Sequence, residues 1–184
     1  MKKRILVLSL IALLLSLCVT GTLAYFTVEE TETNVITAGN IDIDLIETDA
    51  KGRPFRDVCG VVPGAKIDKI VNVKNVSDNP CWVRVSVKKA IYLAFGVRGI
   101  PDPSLVKINF NNTEWIEKDG YYYYKEPLLP GETTKAPLFT QVTFDKAMNN
   151  LYEGSKAIIS VCAHAVQSAN NAETVLEVKG WPEP

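Results

Sequence analysis

Histidine is nearly missing from this 184-residue chain, in which His164 stands alone. A zinc peptidase helix needs two histidines one turn apart with a glutamate as base, so that arrangement is excluded. A serine or cysteine nucleophile would have a single imidazole to draw on, no G-x-S-x-G frame surrounds Ser155, and no glycine-rich phosphate cradle occurs. Excess charge of one sign is lacking too. The 20 basic and 21 acidic residues leave a net charge of −1, which gives nucleic acid no electrostatic reason to bind. Cysteine is sparse. Cys18 lies in an N-terminal apolar run, and the remaining three, Cys59, Cys81 and Cys162, cannot all pair with one another. One bridge among them and three small buried hydrophobes are both open readings. Helical periodicity is scarce, with one short candidate turn over residues 144–152 and an ambiguous stretch over 88–95. No internal repeat, low-complexity tract or linker interrupts the chain, whose length suits one sizeable core.

What is present begins with a tripartite N-terminus. Lys2, Lys3 and Arg4 precede an apolar run from Ile5 to Val19, and Gly21-Thr22-Leu23-Ala24 closes it with small residues before Tyr25. That layout is a signal peptide's. The run of about 15 residues falls short of the ~20 that a permanent transmembrane helix requires. Cleavage between Ala24 and Tyr25 is expected, with residues 1–24 removed. Taking away the three leading basic residues leaves 17 against 21 acidic, a mature charge of −4. The expected site of action is outside the cytoplasm, with membrane contact only through the uncleaved leader.

Beyond Tyr25 the apolar pattern has period two, as half-buried strands do. Asn40-Ile41-Asp42-Ile43-Asp44-Leu45 alternates, as does Lys69-Ile70-Val71-Asn72-Val73-Lys74. Val83, Val85 and Val87 share a face of a third strand. The long run Ala157-Ile158-Ile159-Ser160-Val161-Cys162-Ala163-His164-Ala165-Val166 has a partly apolar outer face, which suits a central strand. Turn signals separate these runs: Lys51-Gly52-Arg53-Pro54, Pro63-Gly64, Ser77-Asp78-Asn79-Pro80, Asp119-Gly120 and Pro130-Gly131. Asp119-Gly120 between Trp115-Ile116-Glu117 and four consecutive tyrosines is the strongest hairpin signal. The expected fold is all-β, a jelly-roll-like β-sandwich with one or two short helices over residues 40–184, preceded by a cleaved signal peptide and an extended segment, 25–39.

Within that frame most candidate sites read as structure. His164 between two alanines on a strand is expected to be a structural imidazole at a sheet face. Asp42, Asp44 and Glu47, read as one strand face with Asp49 nearby, could supply calcium ligands, but no ligand loop with its glycine turn accompanies them and a solvated face is the plainer reading. Alternation puts two of Tyr121 to Tyr124 toward the core and leaves two exposed, to cover a sheet face or contact another subunit, with cross-strand packing in the hairpin the plainer reading. No catalytic residue, metal ligand or cofactor is assigned.

The extended segment is different. It is rich in Thr and Glu, and its apolar positions, Tyr25, Phe26, Val28, Val35 and Ile36, are sparse, so its grip on its own core is weak. Open sheet edges with unpaired N–H and C=O groups accept such a strand from another chain. The segment is therefore a candidate donor strand, released by cleavage.

A family resemblance emerges from the order of these pieces. Gly21-Thr22-Leu23-Ala24-Tyr25-Phe26-Thr27 and Asn34-Val35-Ile36-Thr37-Ala38-Gly39-Asn40-Ile41 open the chain. Pro63-Gly64 precedes Val71-Asn72-Val73-Lys74-Asn75, and Cys81-Trp82-Val83-Arg84-Val85 follows. Tyr122-Tyr123-Tyr124 leads to Leu128-Leu129-Pro130-Gly131-Glu132-Thr133-Thr134, and Ala163-His164-Ala165-Val166-Gln167 comes last. Along nearly its whole length the chain resembles the TasA and camelysin proteins, although Cys59, Cys81 and Cys162 are not a hallmark of that family. The resemblance implies a jelly-roll domain exported by Gram-positive-type bacteria through a signal peptidase of the SipW type. It implies a subunit of an extracellular matrix or cell-surface fibre that self-associates, the freed segment entering a neighbouring subunit as an extra strand. Camelysin relatives are described as metalloproteases, which makes a secreted metalloprotease the alternative expectation.

Overall fold

The computed structural model describes residues 26–30, 34–38 and 40–182, and no side chain is described for residues 26–34 or 37 and 38. The expected cleavage point, Ala24 and Tyr25, lies outside the described residues. Eleven strands run in chain order: β1 (Phe26–Glu30), β2 (Asn34–Ala38), β3 (Ile43–Thr48), β4 (Val58–Val61), β5 (Lys66–Asn75), β6 (Cys81–Tyr92), β7 (Val106–Ile108), β8 (Trp115–Lys118), β9 (Tyr121–Tyr124), β10 (Phe139–Phe144) and β11 (Lys156–Gln167). They form two sheets. One has the order β4-β1-β11-β6-β9-β8, with β2 also on β11, and the other β3-β5-β10-β7. The all-β sandwich expected from the alternation is the fold. Its helical content among the described residues is two 3-10 turns, Pro103–Leu105 and Asn150–Tyr152, capped by the side chains of Asp102 and Asn149. The second falls at the end of the predicted helical turn, whereas the ambiguous stretch 88–95 is the last part of β6 and the loop after it.

The larger sheet is organised by β6 and β11, paired antiparallel over twelve positions from Lys156 opposite Tyr92 to Gln167 opposite Cys81. Their alternation decides the faces. Val83 and Val85 of β6 and Ala157, Ile159, Val161, Ala163 and Ala165 of β11 point into the sandwich, where they meet Val71 and Val73 of β5 and Phe139, Val142 and Phe144 of β10. Small alanines on β11 make room for the large side chains brought by the β8–β9 hairpin, Trp115, Tyr122 and Tyr124. That hairpin turns through Asp119 and Gly120, both at positive φ (52° and 77°), the two left-handed positions of a type I′ turn.

Two sequence expectations are corrected. Glu47 does not share a face with Asp42 and Asp44. Those two are exposed, while Glu47, at the opposite parity from them, is buried and receives a 2.5 Å ion pair from the equally buried Lys69. Lys69 lies on the inward face of β5 in line with Val71 and Val73, and its ammonium also sits 4.2 Å from the centre of the Phe55 ring. No group of acidic, histidine or cysteine residues among those described could hold a metal ion. The outward pair of tyrosines is also not left to solvent. Residues 168–182 fold back over the outer face of the larger sheet, where Val175 and Val178 bury Trp82, Tyr123 and Val166, and Trp181 packs edge-on against Tyr123 at 5.7 Å.

Candidate assembly edge and thiol–imidazole face

Among the described residues every strand pairing is antiparallel except the two that the N-terminal segment makes with β11. β1 lies parallel to β11, from Thr27 opposite Lys156 to Glu30 opposite Ile159. β2 continues on the same edge, again parallel, from Asn34 opposite Cys162 to Ala38 opposite Val166. The segment thus lies along one edge of β11 over 156–159 and 162–166, while the other edge is held by β6. On its far side β1 carries the short strand β4, with Phe26 opposite Val61 and Val28 opposite Val58. The far side of β2 carries no strand among the described residues. Parallel pairing of the two ends of a chain needs no local turn, and its register rests on side-chain fit alone. Of the candidate donor residues, Tyr25 lies outside the described residues. Phe26 and Val28 are placed by their backbones, Val35 is 38% exposed and Ile36 is half-buried.

Val35 and Ile36 overhang a cavity of about 380 Å³ on the outer face, which Ser86, Lys88, Cys162 and His164 also line. Strand alternation puts Cys162 and His164 side by side, with Sγ 3.4 Å from Nε2. Nδ1 faces the Pro182 carbonyl oxygen at 3.3 Å. A carbonyl only accepts, so Nδ1 carries the proton and Nε2 is left to accept from the Cys162 thiol. Burial pushes the His164 imidazole below its usual pKa, Arg84 pushes it the same way, and the Pro182 contact opposes them. Burial lifts the Cys162 thiol, against the pull of Lys88 and Arg84. Both groups are therefore held neutral. The geometry is that of a nucleophile beside a base, but the electrostatics do not favour the thiolate–imidazolium form that reactive cysteines use.

The Arg84 guanidinium lies over the Tyr121 ring at 3.9 Å and near the Trp181 ring at 4.8 Å, and its Nη2 donates to the Pro182 carbonyl at 3.0 Å. Tyr121 also meets His164 edge-on at 5.5 Å. The C-terminal residues thus lock the imidazole from outside. The spacing of Cys162 and His164 on one strand signals their contact, whereas nothing local announces that residues 180 onward would roof it.

Cys59, Cys81 and Cys162 are free thiols. Cys81 faces the core at the Gln167 end of the β6–β11 ladder, and burial pushes its thiol up to about 12. Cys162 faces outward opposite Ser86. About 16 Å of strand rise separates those two positions, well beyond disulfide reach. Cys59 is exposed on β4. Compared with known proteins, the chain matches no family model, no curated protein and no solved structure.

Proposed function

We propose that this chain is an exported structural subunit of an extracellular or cell-surface fibre, assembling by exchange of its N-terminal strand. The observation that carries the reading is the parallel addition of β1 and β2 along one edge of β11, directly after a leader with a signal peptide's layout. Strand pairing has no memory of which chain supplies the strand. The hydrogen bonds that β1 and β2 make with β11 of their own chain are equally available on β11 of a neighbour, which is the logic of domain swapping. Until the leader is cut after Ala24 by a peptidase of the SipW type, the segment is tied to the membrane. Cutting releases it for exchange and starts head-to-tail growth. The resemblance to the TasA and camelysin proteins supports the same reading.

A chain beginning at Tyr25 is expected to form fibres visible by electron microscopy, and one beginning at Asn40 to form none. A synthetic peptide of residues 25–38 should bind the shortened chain one to one by calorimetry. Equal polymerisation of both chains would overturn the reading. Casein hydrolysis by the purified chain, abolished by a chelator, would replace it with the metalloprotease.

A further inference from the structure

The most exposed apolar side chains in the described molecule are concentrated in one loop. Phe95 is 108% exposed and Ile100 91%, with Tyr92 at 59% just before them. Phe95 stands at the tip of a turn closed by Val97 N–H donating to the Ala94 carbonyl at 3.0 Å, with Gly96 at positive φ (83°) beside it. The base of the loop is fastened. The Tyr152 hydroxyl accepts from Asp102 N–H at 3.1 Å, and Gly99 lies so close to Leu151 that an added Cβ would come within 2.6 Å of its methyl group. Two large hydrophobes are thus held out into solvent by an anchored loop, which costs hydration free energy unless something apolar receives them.

The register says what lies nearby. Tyr92, Lys156 and Thr27 are neighbours across β6, β11 and β1, so the loop leaves the sandwich at the end where the N-terminal segment enters it. Six residues separate Val19, the last of the apolar run, from Phe26, a path of at most about 24 Å. The segments forming this end, 62–66, 93–107 and 144–156, carry five basic residues, Lys66, Arg98, Lys107, Lys146 and Lys156, against three acidic ones, whereas the mature chain as a whole is negative. We infer that this end is a membrane-docking face, with Phe95 and Ile100 entering the headgroup region of an anionic phospholipid bilayer and the exposed Lys66, Arg98 and Lys146 facing its phosphates, Lys107 being paired with Asp145. The membrane-held leader rests on the export reading above. The docking itself requires neither leader nor fibre. Its consequence for assembly is that the freshly cut subunit stays on the membrane, with the start of β1 close to the surface.

The test uses the chain beginning at Tyr25, which retains every strand of both sheets, in flotation with phosphatidylglycerol–phosphatidylcholine vesicles. The chain is expected to float, and to do so less as salt is raised. Phe95→Ser with Ile100→Ser should lower the partition coefficient by about tenfold or more. Leu129→Ser, an exposed leucine at the opposite end, should leave it unchanged. Because both loop positions are exposed, the thermal midpoint of the double variant should match that of the parent. Absence of parent binding, or equal flotation of the double variant, would overturn the inference. So would sedimentation showing that Phe95 and Ile100 instead hold two copies together without lipid. Fibre formation, scored separately, can fail while flotation succeeds, and the reverse.

Discussion

At the scale of single residues, two buried polar groups define how the interior tolerates charge. Lys69 and Glu47 are almost completely enclosed and lie against each other and Phe55. Desolvating two charges offsets much of their attraction, so the pair adds little net stability, but an unpaired survivor is expensive. Lys69→Met is expected to destabilise the fold by about 3–5 kcal/mol in urea unfolding, and Lys69→Met with Glu47→Leu to recover most of that loss. His164 makes stability depend on pH. Its folded pKa lies below the ordinary 6.5 because burial and Arg84 disfavour the imidazolium. The unfolded chain therefore binds the proton more readily, and the contribution present above pH 6.5 is lost as pH falls toward the folded pKa. The thermal midpoint should drop between pH 7.5 and pH 5, and His164→Gln should flatten that slope. Asp49 and Asp145, held low by Arg53 and Lys107, lose their contributions only below about pH 4.

At the scale of elements, alternation and turn chemistry account for most of what was readable. The β8–β9 hairpin was legible because Asp-Gly suits two consecutive left-handed residues and few other pairs do. The central place of β11 was legible because both of its faces are partly apolar. Other joints rest on a single side chain. Asn75, fully buried, donates from Nδ2 to the carbonyls of Asn79 and Leu128 at 2.8 and 3.0 Å and accepts from Ser77 N–H and Oγ at 2.9 and 2.6 Å. It closes the β5–β6 turn and ties it to the segment ahead of residue 132. Asn75→Ala should cost about 2–4 kcal/mol by chemical denaturation, since it removes four hydrogen bonds of a fully buried side chain at once. The sequence shows an Asn-Val-Ser triplet there, which carries no hint of this role.

At the scale of the whole molecule, the proposed assembly has the same N-terminal strand satisfy β11 from within or from outside, with local concentration deciding between the two. Within one chain the strand is always at hand, so exchange requires it to leave β11 first. The elements resisting that departure are β11 itself and the four residues of β4. The loop proposed to dock on a membrane lies at the same end, so holding one subunit at a surface would raise the concentration of free edges met by the next.

The sequence by itself determined the all-β class, the strands with strict alternation and the hairpin turn, because each depends on residues adjacent in the chain. Only the tertiary structure decided that β1 and β2 run parallel to β11, that Lys69 finds Glu47, and that Trp181 and Pro182 close over His164 and Arg84. Those contacts join residues far apart in sequence. Period-two patterning says which face a side chain takes, but register and partner are chosen by packing among strands that local sequence does not link.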